Sequence, residues 1–153
     1  MNKFKFIIIG IIFSSFILCN NDMFLSTYEE KSIDERILCS ALYEFIVTVT
    51  MYNPTYEQTD STPNITADNT IIELEKASEY RYVALSRDLL SRWGGPFDYD
   101  DVVCIDNIGE YSGLYKVKDT MNAMYKHRVD ILKTEGQPNF KFEKARLSLW
   151  EGN

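Results

Sequence analysis

The chain is poor in the residues that bind zinc. It has one histidine, His127, and three cysteines, Cys19, Cys39 and Cys104, none of which stands in a CxxC pair. A structural zinc site needs about four closely spaced Cys or His ligands, and no stretch has the spacing of a known calcium loop. We therefore expect no metal and no cofactor.

Basic residues are also scarce relative to acidic ones. The sequence has 16 Lys and Arg against 23 Asp and Glu. Removal of an N-terminal leader would take away Lys3 and Lys5 and no acidic residue, leaving 14 against 23 and a net charge of −9. Nucleic-acid binding requires clustered cations that neutralise phosphates, so we exclude nucleic acid as a partner.

The N-terminus has the composition of an export signal. Lys3 and Lys5 precede an apolar run of 13 residues, Phe6 to Leu18, which is short for a membrane span of about 20 residues. We expect residues 1–21 to be a signal peptide or a membrane or lipid anchor. Lipidation at Cys19, cleavage a few residues later and an uncleaved anchor remain open. The predicted location is the periplasm, cell envelope or exterior, with membrane contact only through this segment.

Two cysteines remain after the leader. Cys39 and Cys104 could pair in an exported protein. Both lie in apolar runs, "RILCSAL" and "DVVCID", where a buried free cysteine is equally natural. We expect them to be buried and unpaired.

The remainder of the chain has the pattern of a small β domain. Residues 22–42 are a predicted linker with a possible short helix, and residues 55–70 are a long polar loop. Short runs rich in β-branched and aromatic residues recur about every ten residues, with one brief helical segment at 86–93, which indicates an all-β barrel or sandwich over residues 43–153. The predicted strands are 43–54, 79–86, 98–106, 111–119, 127–132 and 143–150.

Three aspartates lie where predicted loops meet strands: Asp60, Asp119 and Asp130. If the fold brings them to one face, mutual repulsion raises at least one of their pKa values. A carboxyl that is protonated near neutral pH can act as a general acid in glycoside cleavage. Taken singly, each aspartate is as well explained by the hydrogen bonds that favour Asp in turns.

Three stretches together resemble a known family. They are "VTMYNPTYEQTDSTPNITADN", "YVALSRDLL" and "VKDTMNAMYKHRVDIL", and they resemble, in order, the motifs of the 3D domain family, named for its three aspartates. The resemblance implies a six-stranded double-psi β-barrel with one or two short helices. It also implies a relation to the membrane-bound lytic transglycosylase A enzymes, which cleave the β-1,4 bond between N-acetylmuramic acid and N-acetylglucosamine.

The resemblance also implies roles for residues. The family aspartates fall on Asp119, Asp130 and Asp60, with Asp88 competing with Asp60 for the first place. Asp130 is the expected acid/base, which protonates the glycosidic oxygen while a 1,6-anhydro sugar forms without water, and Asp119 is expected to raise its pKa by repulsion. Four further residues are expected to bind the peptidoglycan or a related glycan: Tyr52, Tyr56, Thr59 and Thr66.

The sequence departs from the family in two respects. Asp68 and Asn69 stand where the family commonly has a small residue and glycine, and the chain has no room for the second domain that forms the other wall of the transglycosylase groove. The alternative is therefore a non-catalytic module that binds cell wall or glycan, or a structural barrel in which the aspartates hold loops in place.

Overall fold

A computed structural model describes residues 44–152 of the chain. They form a closed barrel of six strands in the order β1-β5-β2-β4-β3-β6. The all-β, six-stranded prediction is confirmed, and each predicted strand overlaps one in the structure. The strands are β1 Phe45–Tyr52, β2 Tyr82–Leu85, β3 Val102–Asp106, β4 Gly113–Thr120, β5 Arg128–Leu132 and β6 Phe142–Leu149.

The strands form because their apolar residues alternate and a closed barrel can bury one face of each strand. In β5, for example, Val129 and Ile131 point into the barrel and are at most 1% exposed, whereas Arg128 and Asp130 point outward. The same alternation in the other strands fills the interior with Val, Leu and Ile side chains. The residues between the inward ones therefore face outward and are available for a site.

Two of the six pairings are parallel. β1 pairs with β5 and β2 pairs with β4 in parallel register, and the other four pairings are antiparallel. Parallel neighbours require long connections outside the sheet. This mixed order is compatible with a double-psi barrel.

The connection from β1 to β2, residues 53–81, packs on the outside of the barrel. It contains an isolated bridge between Ile65 and Ile71 and a 3₁₀ helix at Leu74–Glu79. It buries a second, smaller apolar cluster against the outer wall, separate from the barrel interior. This cluster is formed by Tyr52, Ile72, Ala77, Ala84, Met121 and Leu132.

The helical segment predicted after β2 is present as two 3₁₀ turns, Arg87–Leu89 and Ser91–Trp93. Ser86 occupies the N-cap position of the first turn, but its side chain makes no capping bond. Its hydroxyl oxygen instead accepts a hydrogen bond from the Arg128 N–H at 3.0 Å, which joins β2 to β5. Gly94 ends the second turn in a left-handed conformation with φ of 90°.

The expectation of unpaired cysteines is wrong for Cys104, which is disulfide-bonded. Cys39, the other cysteine of this expectation, lies outside the described residues. Burial in an apolar strand does not distinguish a free thiol from a half-cystine, which explains the error. The predicted signal segment and linker also lie outside the described residues. Within 44–152, no helix is long and apolar enough to cross a membrane.

Candidate functional site

Four strands place a row of residues on the outer wall of the barrel. Asp130 on β5 lies opposite Thr50 on β1 and Ala84 on β2, and Ala84 lies in turn opposite Asp119 on β4. Residues that pair across strands share a face. The two aspartates are therefore two strand spacings apart, about 10 Å between Cα atoms, with Ala84 as the residue that pairs with both of them.

A β-bulge in β4 brings Asp119 into this row. Val83 pairs with Val117, but the next residue of β2, Ala84, pairs with Asp119, so that Lys118 is the extra residue. Without the bulge, Lys118 would stand opposite Ala84. Bulges commonly change the direction of side chains beside functional sites. Here the bulge places the negatively charged Asp119 in the row, and not the positively charged Lys118.

Both carboxylate oxygens of Asp119 are occupied by hydrogen bonds. Oδ1 accepts from the N–H groups of Thr120 at 2.8 Å and Ala67 at 3.2 Å, and Oδ2 accepts from the Tyr52 hydroxyl at 2.9 Å. Burial raises the pKa of Asp119, and these three hydrogen bonds oppose that shift. Asp119 thus fastens the 53–81 connection to the barrel wall.

Asp130 has a different environment. The Thr50 hydroxyl donates a hydrogen bond to Oδ1, and Thr50 Oγ1 in turn accepts from Arg128 Nε at 3.1 Å and Nη2 at 3.0 Å. Within residues 44–152, no donor is hydrogen-bonded to Oδ2, and the side chain is 18% exposed. Asp130 is therefore held at one oxygen and open at the other.

Burial raises the pKa of Asp130, although the Thr50 hydrogen bond and the Arg128 charge act in the opposite direction. The sequence-based prediction gave a different cause, repulsion from Asp119. Burial is the cause in the structure, and Asp119 does not contribute to the shift. The Cα atoms of the two aspartates are two strand spacings apart, about 10 Å, which is consistent with the lack of a contribution from Asp119.

All three predicted aspartates line one cleft between the barrel wall and the 53–81 connection, with a volume of about 820 Å³. Asp60 is exposed, and its Oδ1 accepts hydrogen bonds from the Thr62 N–H at 2.7 Å and hydroxyl at 2.8 Å. These bonds lower the pKa of Asp60. Asp88, its competitor for the first place, does not line the cleft; its Oδ2 accepts from the His127 N–H at 3.0 Å.

The four predicted glycan-binding residues take different positions. Tyr52 lines the cleft but is 9% exposed and donates to Asp119, so it positions that carboxylate. Tyr56 is 72% exposed and lies outside the cleft lining. Thr59 and Thr66 line the cleft, and their hydroxyls donate within the connection, to Thr55 O at 2.7 Å and Asp68 Oδ1 at 2.6 Å.

A buried ion pair fixes the connection beside the site. Lys118 Nζ contacts Asp68 Oδ2 at 2.8 Å, and both side chains are 9% exposed. Asn69, in the same connection, has φ of 68°. Asn is among the few residues that adopt this left-handed conformation readily, so both asparagine and glycine are compatible with the backbone at this position.

Replacing Asp68 by asparagine should destabilise the fold by about 2 kcal/mol at pH 7. Burial alone would raise the pKa of Asp68, but hydrogen bonds from Lys118, Thr66 and Thr70 outweigh it and lower the pKa to about 2. Since this folded-state value lies below the ordinary 3.8, the stabilisation is present above about pH 4 and is lost as the pH falls towards 2. Urea unfolding of both proteins between pH 7 and pH 2 measures this difference.

The matched control is Asp100→Asn, since Asp100 also contacts Lys118, at 2.6 Å, but has a side chain that is 60% exposed. We expect a much smaller loss there because solvent screens exposed pairs. Equal losses in the two variants would contradict the importance of the buried pair.

Tyr52→Phe should lower the free energy of unfolding by about 1–2 kcal/mol at neutral pH, because it removes a donor from a largely buried carboxylate. The loss should shrink at low pH, where Asp119 is neutral. Tyr80→Phe is the control, since Tyr80 packs against the same apolar cluster and its hydroxyl bonds no carboxylate within residues 44–152 but accepts from the Glu73 N–H. A loss for Tyr52→Phe no greater than that for Tyr80→Phe would show that the Asp119 contact contributes little.

Sequence reasoning missed Thr50, Arg128 and Ala84 as members of the site. The signal was the two-residue period of a strand, since Thr50 precedes Tyr52 by two positions and Arg128 precedes Asp130 by two. Each therefore shares a face with a predicted site residue. Ala84 could not be found this way, because its role follows from the pairing of β2 with two other strands.

Residues 44–152 contain no group of three or more His, Cys, Asp or Glu side chains arranged to hold a metal ion. Comparison of the chain with protein-family models, curated proteins and solved structures gave no match.

Proposed function

We propose that the chain is a glycan-cleaving domain of the lytic transglycosylase type, acting on the β-1,4 bond between N-acetylmuramic acid and N-acetylglucosamine in peptidoglycan. The observation that carries the proposal is Asp130, whose partly buried carboxyl has a raised pKa and one oxygen open to the cleft. The resemblance of the motifs to the 3D domain family and the compatible barrel support it.

In the proposed reaction, protonated Asp130 donates its proton to the glycosidic oxygen as the bond to C1 breaks. The resulting carboxylate then accepts the proton of the muramic 6-hydroxyl as that oxygen bonds to C1, so the carboxyl is regenerated and no water is consumed. Thr50 and Arg128 hold Oδ1 in place and stabilise the carboxylate while it is charged. Asp119 shapes the cleft through the connection that it fastens.

We further propose that the domain works outside the cytoplasm. The apolar N-terminal run has the composition of an export signal, and the disulfide at Cys104 favours an oxidising compartment. The proposed location is the periplasm, cell envelope or exterior.

The test is incubation of the wild-type protein with purified peptidoglycan, followed by mass spectrometry of the soluble products. Release of 1,6-anhydro-muropeptides is the expected result. Binding of the protein to peptidoglycan without any soluble product would reject catalysis and leave the alternative of a binding module.

Asp119 and Asp60 give that alternative a specific basis. Their hydrogen bonds fasten or shape the 53–81 connection, and a non-catalytic module would need these two functions as much as an enzyme does. Only Asp130 lacks such a role, so its substitution separates the two proposals.

A further inference from the structure

Two arginines line the cleft, one in the turn that follows β2 and one at the start of β5. Ser86 donates its N–H to the Arg128 carbonyl at 2.9 Å, and the Arg128 N–H donates to Ser86 Oγ at 3.0 Å. Arg87 directly follows Ser86, and both Arg87 and Arg128 line the cleft that holds Asp130. The reaction outlined above uses Arg128 only to hold and stabilise the Asp130 carboxylate, and it does not use Arg87.

Arg87 has no ionic partner in the described part of the chain. No carboxylate of residues 44–152 lies within 4.0 Å of its guanidinium, and its Nε is buried without a hydrogen-bond acceptor. The guanidinium is held 5.0 Å from the centre of the Trp93 ring. A buried donor on a charged group is costly when left unpaired, so this arrangement calls for a functional explanation.

Arg128 is also incompletely neutralised. Among residues 44–152, its carboxylate partner is Asp130, whose Oδ1 lies 3.7 Å from Nε, which is longer than a hydrogen bond. Its Nε and Nη2 donate to a neutral hydroxyl, that of Thr50, and the guanidinium lies 4.6 Å from the centre of the Tyr125 ring. Aromatic rings thus hold both guanidiniums in a domain that is otherwise strongly acidic.

We infer that Arg87 and Arg128 form a subsite that binds a carboxylate carried by the glycan. A planar guanidinium matches the geometry of a carboxylate, and two of them can hold its two oxygens. The inference rests on the proposed function for the identity of the glycan: in peptidoglycan stripped of its peptides, each muramic residue carries a lactyl carboxylate. The subsite would distinguish this sugar from a neutral N-acetylglucosamine residue.

The experiment measures binding to the full chain carrying Asp130→Asn, which prevents turnover. Three tetrasaccharides serve as probes: peptide-free glycan of alternating N-acetylglucosamine and N-acetylmuramic acid, a neutral N-acetylglucosamine oligomer, and an oligogalacturonate. We expect the peptide-free glycan to bind roughly tenfold more tightly than the neutral oligomer, and the difference to shrink at high salt. Adding Arg87→Gln should abolish the difference.

Arg92→Gln is the matched control, because Arg92 lies 5.3 Å from the centre of the same Trp93 ring but does not line the cleft; it should keep the preference. Equal binding of charged and neutral probes, or a preference that survives Arg87→Gln, would overturn the inference while leaving the proposed function intact. Arg87-dependent binding of oligogalacturonate alone would support a carboxylate subsite and overturn the peptidoglycan assignment. Binding of none of the probes would overturn both.

Discussion

Asp130→Asn should reduce the release of anhydro-muropeptides by at least about a hundredfold, since a general acid typically contributes a factor of 10²–10⁴. Asparagine has nearly the same shape but cannot transfer the proton. The variant should fold. Because the pKa of Asp130 is raised in the folded state, its protonated carboxyl stabilises the fold fully below the ordinary pKa. This stabilisation is lost as the pH rises through the folded-state pKa. At pH 7 the neutral amide avoids that loss. Product release and urea unfolding measure the two effects.

Asp106→Asn is the matched control for this substitution. Asp106 also lies on a strand, β3, and pairs with an arginine, Arg146, but it does not line the cleft. We expect its product release to equal that of the wild type. Undiminished release from Asp130→Asn would remove Asp130 from the mechanism, and unfolding of that variant at pH 7 would favour the structural alternative.

Gly95→Ala should destabilise the fold by about 3 kcal/mol or more, which is the range expected for severe overpacking. A Cβ atom at Gly95 would stand 2.5 Å from both Leu89 O and Leu90 N, and closer still to the Leu89 carbonyl carbon. These are backbone atoms of the turn that follows β2, and the Leu89 and Leu90 side chains are buried in the barrel interior. The turn cannot give way without moving them. Thermal or urea unfolding measures the loss.

Gly136→Ala provides the comparison for this prediction. Gly136 has φ of 83°, but a Cβ there meets nothing within 4 Å, so only the left-handed backbone is disfavoured, at about 1 kcal/mol. If Gly95→Ala were no more destabilising than Gly136→Ala, the close packing of residue 95 on the turn would not exist in solution.

The strands could be predicted because a closed barrel buries one face of every strand. This requirement makes apolar and polar residues alternate along each strand. Val129 and Ile131 around Asp130 are enough to predict both β5 and an outward-facing carboxyl. The register between paired strands cannot be predicted from this alternation. Only the pairing of β2 with both β4 and β5 shows that Asp119 and Asp130 flank Ala84.

The sequence predicted a shared position for the three aspartates, but not the cause of the raised pKa of Asp130. The motif resemblance selected the three aspartates, and all three line one cleft. The bulge at Lys118 depends on the pairing of β4 with β2, and the burial of Asp130 depends on its neighbours on β1 and β2. Neither can be predicted from the neighbouring sequence. The sequence does not distinguish a pKa that is raised by burial from one that is raised by repulsion, although the two causes imply different neighbours for the carboxyl.

The most direct test of the central claim, that a single carboxyl at Asp130 cleaves the glycan without water, is digestion of peptidoglycan in water enriched in the heavy oxygen isotope. Mass spectrometry should find 1,6-anhydro products that carry no heavy oxygen at the new chain end, and their release should depend on Asp130. Products that carry one heavy oxygen there would show hydrolysis and would contradict the claim.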